Sequence, residues 1–171
     1  AWESEADLCG AGVLLREYYP DAAFVIGDTG AAEASNQLDP NSVNCGRTSK
    51  PENVFVYRNR YRSRLTISTD YPETVTNTAV YLRSTCTSGR SELACGDGSA
   101  DGSNRGSAVV EAVEAGLYFI VVDTSIGLAG PFKLTVQSEY DELQCADHID
   151  NDGDGRIDDD DAGCSGQDDR S

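Results

Sequence analysis

Leu117–Asp123, Leu-Tyr-Phe-Ile-Val-Val-Asp, is a run of aromatic and β-branched residues, apolar on both alternating faces. Such a run reads as a strand in the middle of a sheet, covered on both sides. Outward from it, Gly127–Pro131 turns the chain. Phe132–Val136, Phe-Lys-Leu-Thr-Val, then alternates apolar and polar at the period of a half-buried strand. Toward the N-terminus the same period appears in Thr78–Arg83, where Ala79, Tyr81 and Arg83 stand opposite Val80 and Leu82. It appears again in Arg64–Thr69, with Leu65 and Ile67 on one face, and in Val54–Tyr57. Ser91–Cys95 is a short further strand, Gly96–Gly106 a turn-rich loop, and the pattern of Ser107–Ala115 fits helix or strand.

Short strands at close spacing, separated by Gly, Pro, Asn and Ser, predict an all-β fold, a β-sandwich or jelly roll. No amphipathic helical period runs long enough to support an α/β fold. Residues 1–50 are mixed, with a short helix or strand around Val13–Tyr19 and a loop over Asn36–Lys50. Tyr140–Gln144 reads as a linker. The division is a sandwich over 1–139 and an acidic tail over 140–171, with a small disulfide-closed calcium loop in the tail.

The chain has 171 residues, 39% of them hydrophobic, so a core is affordable under a very polar surface. Thirty Asp and Glu oppose 13 Lys and Arg, for a net charge of -17. That field repels nucleic-acid backbones and anionic bilayers and favours cations. No run of 18 apolar residues exists, which excludes a membrane-spanning helix. Six cysteines, an even number in an acidic chain rich in Gly, Ser and Thr, point to an exported or cell-surface chain whose signal peptide has been removed. Of the 15 pairings six cysteines permit, three local ones are natural: Cys9–Cys45, Cys86–Cys95 and Cys145–Cys164. Zinc is a weak alternative, because there is one His and no Cys-x-x-Cys.

The charge concentrates in Asp150–Asp161, Asp-Asn-Asp-Gly-Asp-Gly-Arg-Ile-Asp-Asp-Asp-Asp. It fits a calcium-loop template. Asp150, Asp152 and Asp154 take positions 1, 3 and 5, and Gly155 takes the sharp turn at 6. Arg156 offers its backbone carbonyl at 7, Ile157 is an apolar pin, and Asp158 and Asp161 fill positions 9 and 12. Carboxylates two apart on a curling backbone converge on one ion. Asp161 is a methylene shorter than the usual Glu, and no flanking helices stand beside the loop. The expectation is a structural Ca2+ site in the weak extracellular range, about 10⁻⁴ to 10⁻³ M. Asp159 and Asp160 are spare in this register. His148 reads as an ordinary turn residue.

Arg58, Arg60, Arg62 and Arg64 recur at a spacing of two. On one extended strand all four face the same side. They form either a solvated face that offsets the acids or an interaction face for an anionic glycan, matrix or another copy of the chain. In the last case the acidic tail of one subunit docks on the arginines of the next and builds a homo-oligomer or filament.

Thr78–Gly98 and Ser107–Val136 together resemble the bacterial pre-peptidase C-terminal domain, above all in Gly-Leu-Tyr-Phe-Ile-Val-Val-Asp and Phe-Lys-Leu-Thr-Val. The resemblance spans roughly Cys9–Val136. Cys145–Cys164 is similar to thrombospondin type 3 calcium repeats. The resemblance implies a non-catalytic β-sandwich that assists secretion or binds substrate or matrix, in some relatives with calcium. This chain departs from the family pattern at Asn77 and at Cys95-Gly96-Asp97-Gly98, where relatives often carry further carboxylates. A second calcium site at Asp97 and Asp101 is correspondingly weak. Asp123 reads as a turn cap.

Enzyme readings fail on inventory. There is no Gly-x-Ser-x-Gly elbow, no His-Glu-x-x-His and no P-loop lysine, and one His leaves no His-based triad. The expected function is non-catalytic surface or matrix binding. The alternative is a self-assembling structural subunit. Nucleic acid and membrane insertion are not expected as partners.

Overall fold

The computed structural model describes residues 13–14, 17–18, 22–31, 52–60, 62–98 and 104–140. Ten strands form two sheets: β1 (Val13–Leu14), β2 (Glu17–Tyr18), β3 (Ala22–Asp28), β4 (Glu52–Asn59), β5 (Ser63–Ser68), β6 (Thr78–Arg83), β7 (Glu92–Gly96), β8 (Ser107–Val113), β9 (Gly116–Thr124) and β10 (Pro131–Tyr140). One sheet, A, runs β1-β4-β9-β6-β7, and the other, B, runs β2-β3-β10-β5-β8. The two-residue strand β1 joins β4 in parallel; β3 to β10 pair antiparallel throughout. Around the β6–β7 hairpin the pairs β5–β8, β4–β9 and β3–β10 are nested, alternating between the sheets. A long hairpin folded over itself in this way is a jelly roll, the expected fold class.

Alternation explains the layers. Tyr118, Ile120 and Val122 of β9 join Phe55, Tyr57, Val80 and Leu82 on the inner face of sheet A. Sheet B answers with Leu65, Ile67, Phe132, Leu134 and Val136, each fully buried. Phe55 and Phe132 meet edge to face across the sandwich, with ring centroids 6.1 Å apart. Each such side chain contributes about 1.5–3 kcal/mol through burial. Tyr57 brings a hydroxyl into this core and shares a 2.6 Å hydrogen bond with the Ser138 hydroxyl.

Sheet A is also covered on its other face, as the run Leu117–Asp123 implied. Ala79, Tyr81, Cys86 and Val121 form a second buried cluster there, with Val54, Cys95 and Phe119 packed against it. All six residues of β6 are buried.

Several expectations need correction. The pattern of Ser107–Ala115, open between helix and strand, resolves to a strand over Ser107–Val113; a bulge opposite Arg64 places Ala112 at φ 55°. Leu65 and Ile67 supply the core face that holds β8 extended. β10 continues to Tyr140, which pairs with Ser63, so the residue read as the start of a linker is sheet. Asp123, read as a turn cap, is a strand residue. It lies inside β9, 3% exposed, opposite Glu52 and Ala79. The fold class is corrected in one respect as well. The described fold is the sandwich alone, with no disulfide-closed calcium loop as a second part: its last strand, β10, lies inside sheet B, between β3 and β5. Cys86 and Cys95 are in the disulfide state, and both belong to the sandwich. The pairs Cys9–Cys45 and Cys145–Cys164 and the acidic tail fall outside the described residues. Among the described residues no helix is long and apolar enough to cross a membrane.

Candidate interaction site

The four arginines do not share a strand. β4 ends at Asn59 and β5 starts at Ser63, in the opposite sheet. A spacing of two therefore fails to put them on one face, because the chain leaves one sheet after Asn59 and enters the other at Ser63. Arg58 belongs to sheet A, Arg64 to sheet B, and Arg60 and Arg62 to the crossing, all four exposed.

A buried asparagine fixes this corner. Asn59 is 2% exposed. Its Nδ2 donates to the carbonyls of Val113 and Glu114, both at 3.0 Å, and its Oδ1 accepts from Ser63 Oγ at 2.9 Å. The corner is thus tied to the β8–β9 connection, which Tyr118 also holds by donating its hydroxyl to the Glu114 carbonyl at 2.9 Å. Burial, then the Glu114 carboxylate, pushes the Tyr118 phenol up.

Carboxylates face part of the corner. Arg62 Nε lies 3.2 Å from Glu114 Oε1. Arg64 donates from Nε to Glu111 Oε1 at 2.8 Å and from Nη1 to Glu139 Oε2 at 2.9 Å. The bond to Glu139 and the charge of Glu111 hold the Arg64 guanidinium above its ordinary value. The bulge at Ala112 serves this contact, since two residues of β8 face one of β5 there and Glu111 is aimed at Arg64. These pairs are solvent-exposed, and such pairs are worth about 0–1 kcal/mol. An incoming anion can exchange with them.

A second polar cluster was missed in the sequence. On the outer face of sheet A, Arg83 and Asp123 are each 3% exposed and Glu52 is 9% exposed, with Glu92 half-buried. Glu92 stands opposite Arg83 in the β6–β7 register, and Glu52 opposite Asp123 in the β4–β9 register. The Arg83 guanidinium lies 5.7 Å from the Tyr81 ring centroid, and its Nη1 donates to the Cys86 carbonyl at 3.4 Å. The readable signal was an arginine in phase with Ala79 and Tyr81 on a strand flanked by apolar runs.

Burial, then the Asp123 and Glu92 carboxylates, pushes the Tyr81 phenol above its usual range. The folded-state value lies above the unfolded value of about 10, so this contribution to stability is complete below pH 10 and is lost as pH rises beyond it. The expected slope is up to about 1.4 kcal/mol per pH unit. Urea midpoints measured from pH 9 to 11 should fall more steeply for the native chain than for Tyr81→Phe. Parallel curves would show that Tyr81 ionises as freely folded as unfolded.

The expected calcium ligands, Asp150, Asp152, Asp154, Arg156, Asp158 and Asp161, lie outside the described residues, as does Asp101. Among the described residues no group of three or more His, Cys, Asp or Glu side chains could hold a metal. Metal binding, expected of the molecule, is therefore corrected for the described residues, which hold no such group.

No protein-family model and no curated protein matches this chain. Solved structures that are similar at a distance include two of bacterial proteins. One is the pre-peptidase C-terminal domain of collagenase from Bacillus anthracis, with 12% identity, a TM-score of 0.43, and coverage of 73% of this chain and 91% of that one. The other is PliG of Aeromonas hydrophila, a periplasmic inhibitor of g-type lysozyme, with 12% identity, a TM-score of 0.44, and coverage of 75% and 96%. The likeness is partial. The jelly roll rests on the strand order of this chain.

Proposed function

We propose that this chain is a non-catalytic, exported binding module whose sandwich takes an anionic extracellular glycan or matrix at the arginine corner. The observation that carries the reading is the gathering of Arg58, Arg60, Arg62 and Arg64 at one crossing between sheets, exposed, in a chain of net charge -17. Guanidinium forks bind carboxylate and sulfate in pairs of parallel hydrogen bonds, which suits uronic and sulfated sugars. The disulfide state of Cys86 and Cys95 supports an oxidising, extracytoplasmic compartment. The test is binding of heparin and of polygalacturonate by calorimetry at several salt concentrations. Binding should weaken with salt, and Arg58→Gln with Arg60→Gln should weaken it about tenfold, the loss expected when charge-assisted hydrogen bonds go. Affinity indifferent to both substitutions sinks the corner as the site.

For the tail the proposal is one Ca2+ held by Asp150, Asp152, Asp154, Asp158, Asp161 and the Arg156 carbonyl. The support is the sequence register alone. Calorimetric titration should give one site with Kd of about 10⁻⁴ to 10⁻³ M. Asp150→Asn with Asp154→Asn should abolish it. An unchanged isotherm in that double variant would remove the assignment.

A further inference from the structure

We infer that the arginine corner is the docking site for the chain's own C-terminal acidic segment, residues 141–171, which covers it in cis. The inference stands whether or not the corner binds a glycan and whether or not the tail binds calcium.

The place where the chain leaves the sandwich motivates it. In the β5–β10 register Glu139 stands opposite Arg64 and Tyr140 opposite Ser63. Residue 141 therefore departs beside Arg62 and Arg64, at the corner end of the sandwich. The segment that follows carries 12 acidic and two basic residues. The corner carries four of the 13 Lys and Arg of the whole chain within seven positions. No other stretch of seven residues in this sequence holds as many cations.

Magnitudes decide between docking in cis and docking on another copy. The segment of 31 residues is tethered through Tyr140 directly beside the corner. Its effective concentration there is on the order of millimolar. At micromolar protein a second copy is outnumbered by orders of magnitude. Covering in cis thus opposes the end-to-tail assembly that complementary charges would otherwise build. The carboxylates already at the corner do not block the tail, because Glu111, Glu114 and Glu139 hold exposed pairs that exchange at little cost. Any anionic partner must displace the tail first.

The test uses the full chain in excess chelator, so that no calcium occupies the tail. Arginine modification by phenylglyoxal is followed peptide by peptide. Neutralising the tail by Asp158→Asn, Asp159→Asn, Asp160→Asn and Asp161→Asn together should speed modification of Arg58 and Arg60 at least about threefold, as expected when an anion at millimolar effective concentration is lost. About 1 M salt, where the Debye length is near 3 Å, should do the same to the native chain. In a second arm, Arg58→Glu with Arg60→Glu should enlarge the hydrodynamic radius at low salt by releasing the tail. Equal modification rates in the native and neutralised chains overturn the inference. Protection that grows over about a hundredfold rise in protein concentration also overturns it, because cis docking does not depend on concentration.

Discussion

Gly96→Ala is expected to cost about 3–5 kcal/mol, a large share of the roughly 5–15 kcal/mol that holds a domain folded. A Cβ built on Gly96 would sit 1.8 Å from the Ser107 carbonyl oxygen and 2.5 Å from its carbon. Both are backbone atoms, so no rotamer change relieves the overlap. The chain passes here from β7 in sheet A to β8 in sheet B, and the two backbones touch where the crossing begins and ends. Gly106, at the far side, is equally confined: its Cβ would meet the Gly96 carbonyl oxygen at 2.6 Å and the Val80 nitrogen at 2.8 Å. Hydrogen bonds fix the same place, from Gly106 N to Thr78 Oγ1 at 2.9 Å and from Thr69 N to the Gly106 carbonyl at 2.8 Å. To admit a methyl group the sheets must part at a junction those bonds close. Gly116→Ala is the control. The atoms nearest its Cβ would be those of the Tyr118 side chain, at 3.5–3.8 Å, an ordinary contact. That substitution should leave stability unchanged or raise it by up to about 1 kcal/mol through the unfolded chain. Urea midpoints of the two variants decide the matter: a Gly96→Ala midpoint near the native one would mean that the crossing is looser than its backbone distances require.

The stretch Gly96–Gly106 shows where sequence reading stops. Its glycines announce a turn-rich loop, which is what a dense set of glycines means locally. Which of them exist for close approach depends on Ser107 and Val80, partners that only the folded topology brings near. The strands were legible for the opposite reason. Leu117–Asp123 and Phe132–Val136 carry their face assignment in their own alternation, and Leu65, Ile67, Ile120 and Val122 fall where that alternation puts them. The arginines were misplaced by the same rule, because alternation holds only while the chain stays in one strand. Asn59, bonded to Val113 and Glu114, ends that strand between Arg58 and Arg60. Nothing in a spacing of two reveals such a corner. Its four positive charges were plain in the sequence; their splay over two sheets and a crossing was not.

Arg83→Met should destabilise the sandwich by about 3–5 kcal/mol, although it replaces a charge by an apolar chain of similar length beside Ala79, Tyr81 and Val121. The reason is the company Arg83 keeps. Glu92 stands opposite it, and Asp123 and Glu52 stand together further along sheet A, with Asp123 almost fully buried. Two carboxylates placed directly across a pair of strands repel each other, and the only cation among these four side chains is Arg83. Removing it takes a guanidinium away from desolvated carboxylates, which is the expensive way to break a buried ion cluster. Its packing over Tyr81 adds a smaller term, about 0.5–2 kcal/mol for a cation above an aromatic face. The two contributions separate in a double-mutant cycle. Adding Glu92→Gln to Arg83→Met should recover at least about 1 kcal/mol, because the second change removes one of the charges the first left exposed to a poor medium. Strict additivity of the two substitutions would assign the loss to packing over Tyr81 and deny the ionic account. If Arg83→Met alone costs under about 1 kcal/mol, the carboxylates of Glu52, Glu92 and Asp123 do not depend on this guanidinium, and the outer face of sheet A is held by its apolar residues, Ala79, Val121 and Phe119, without it.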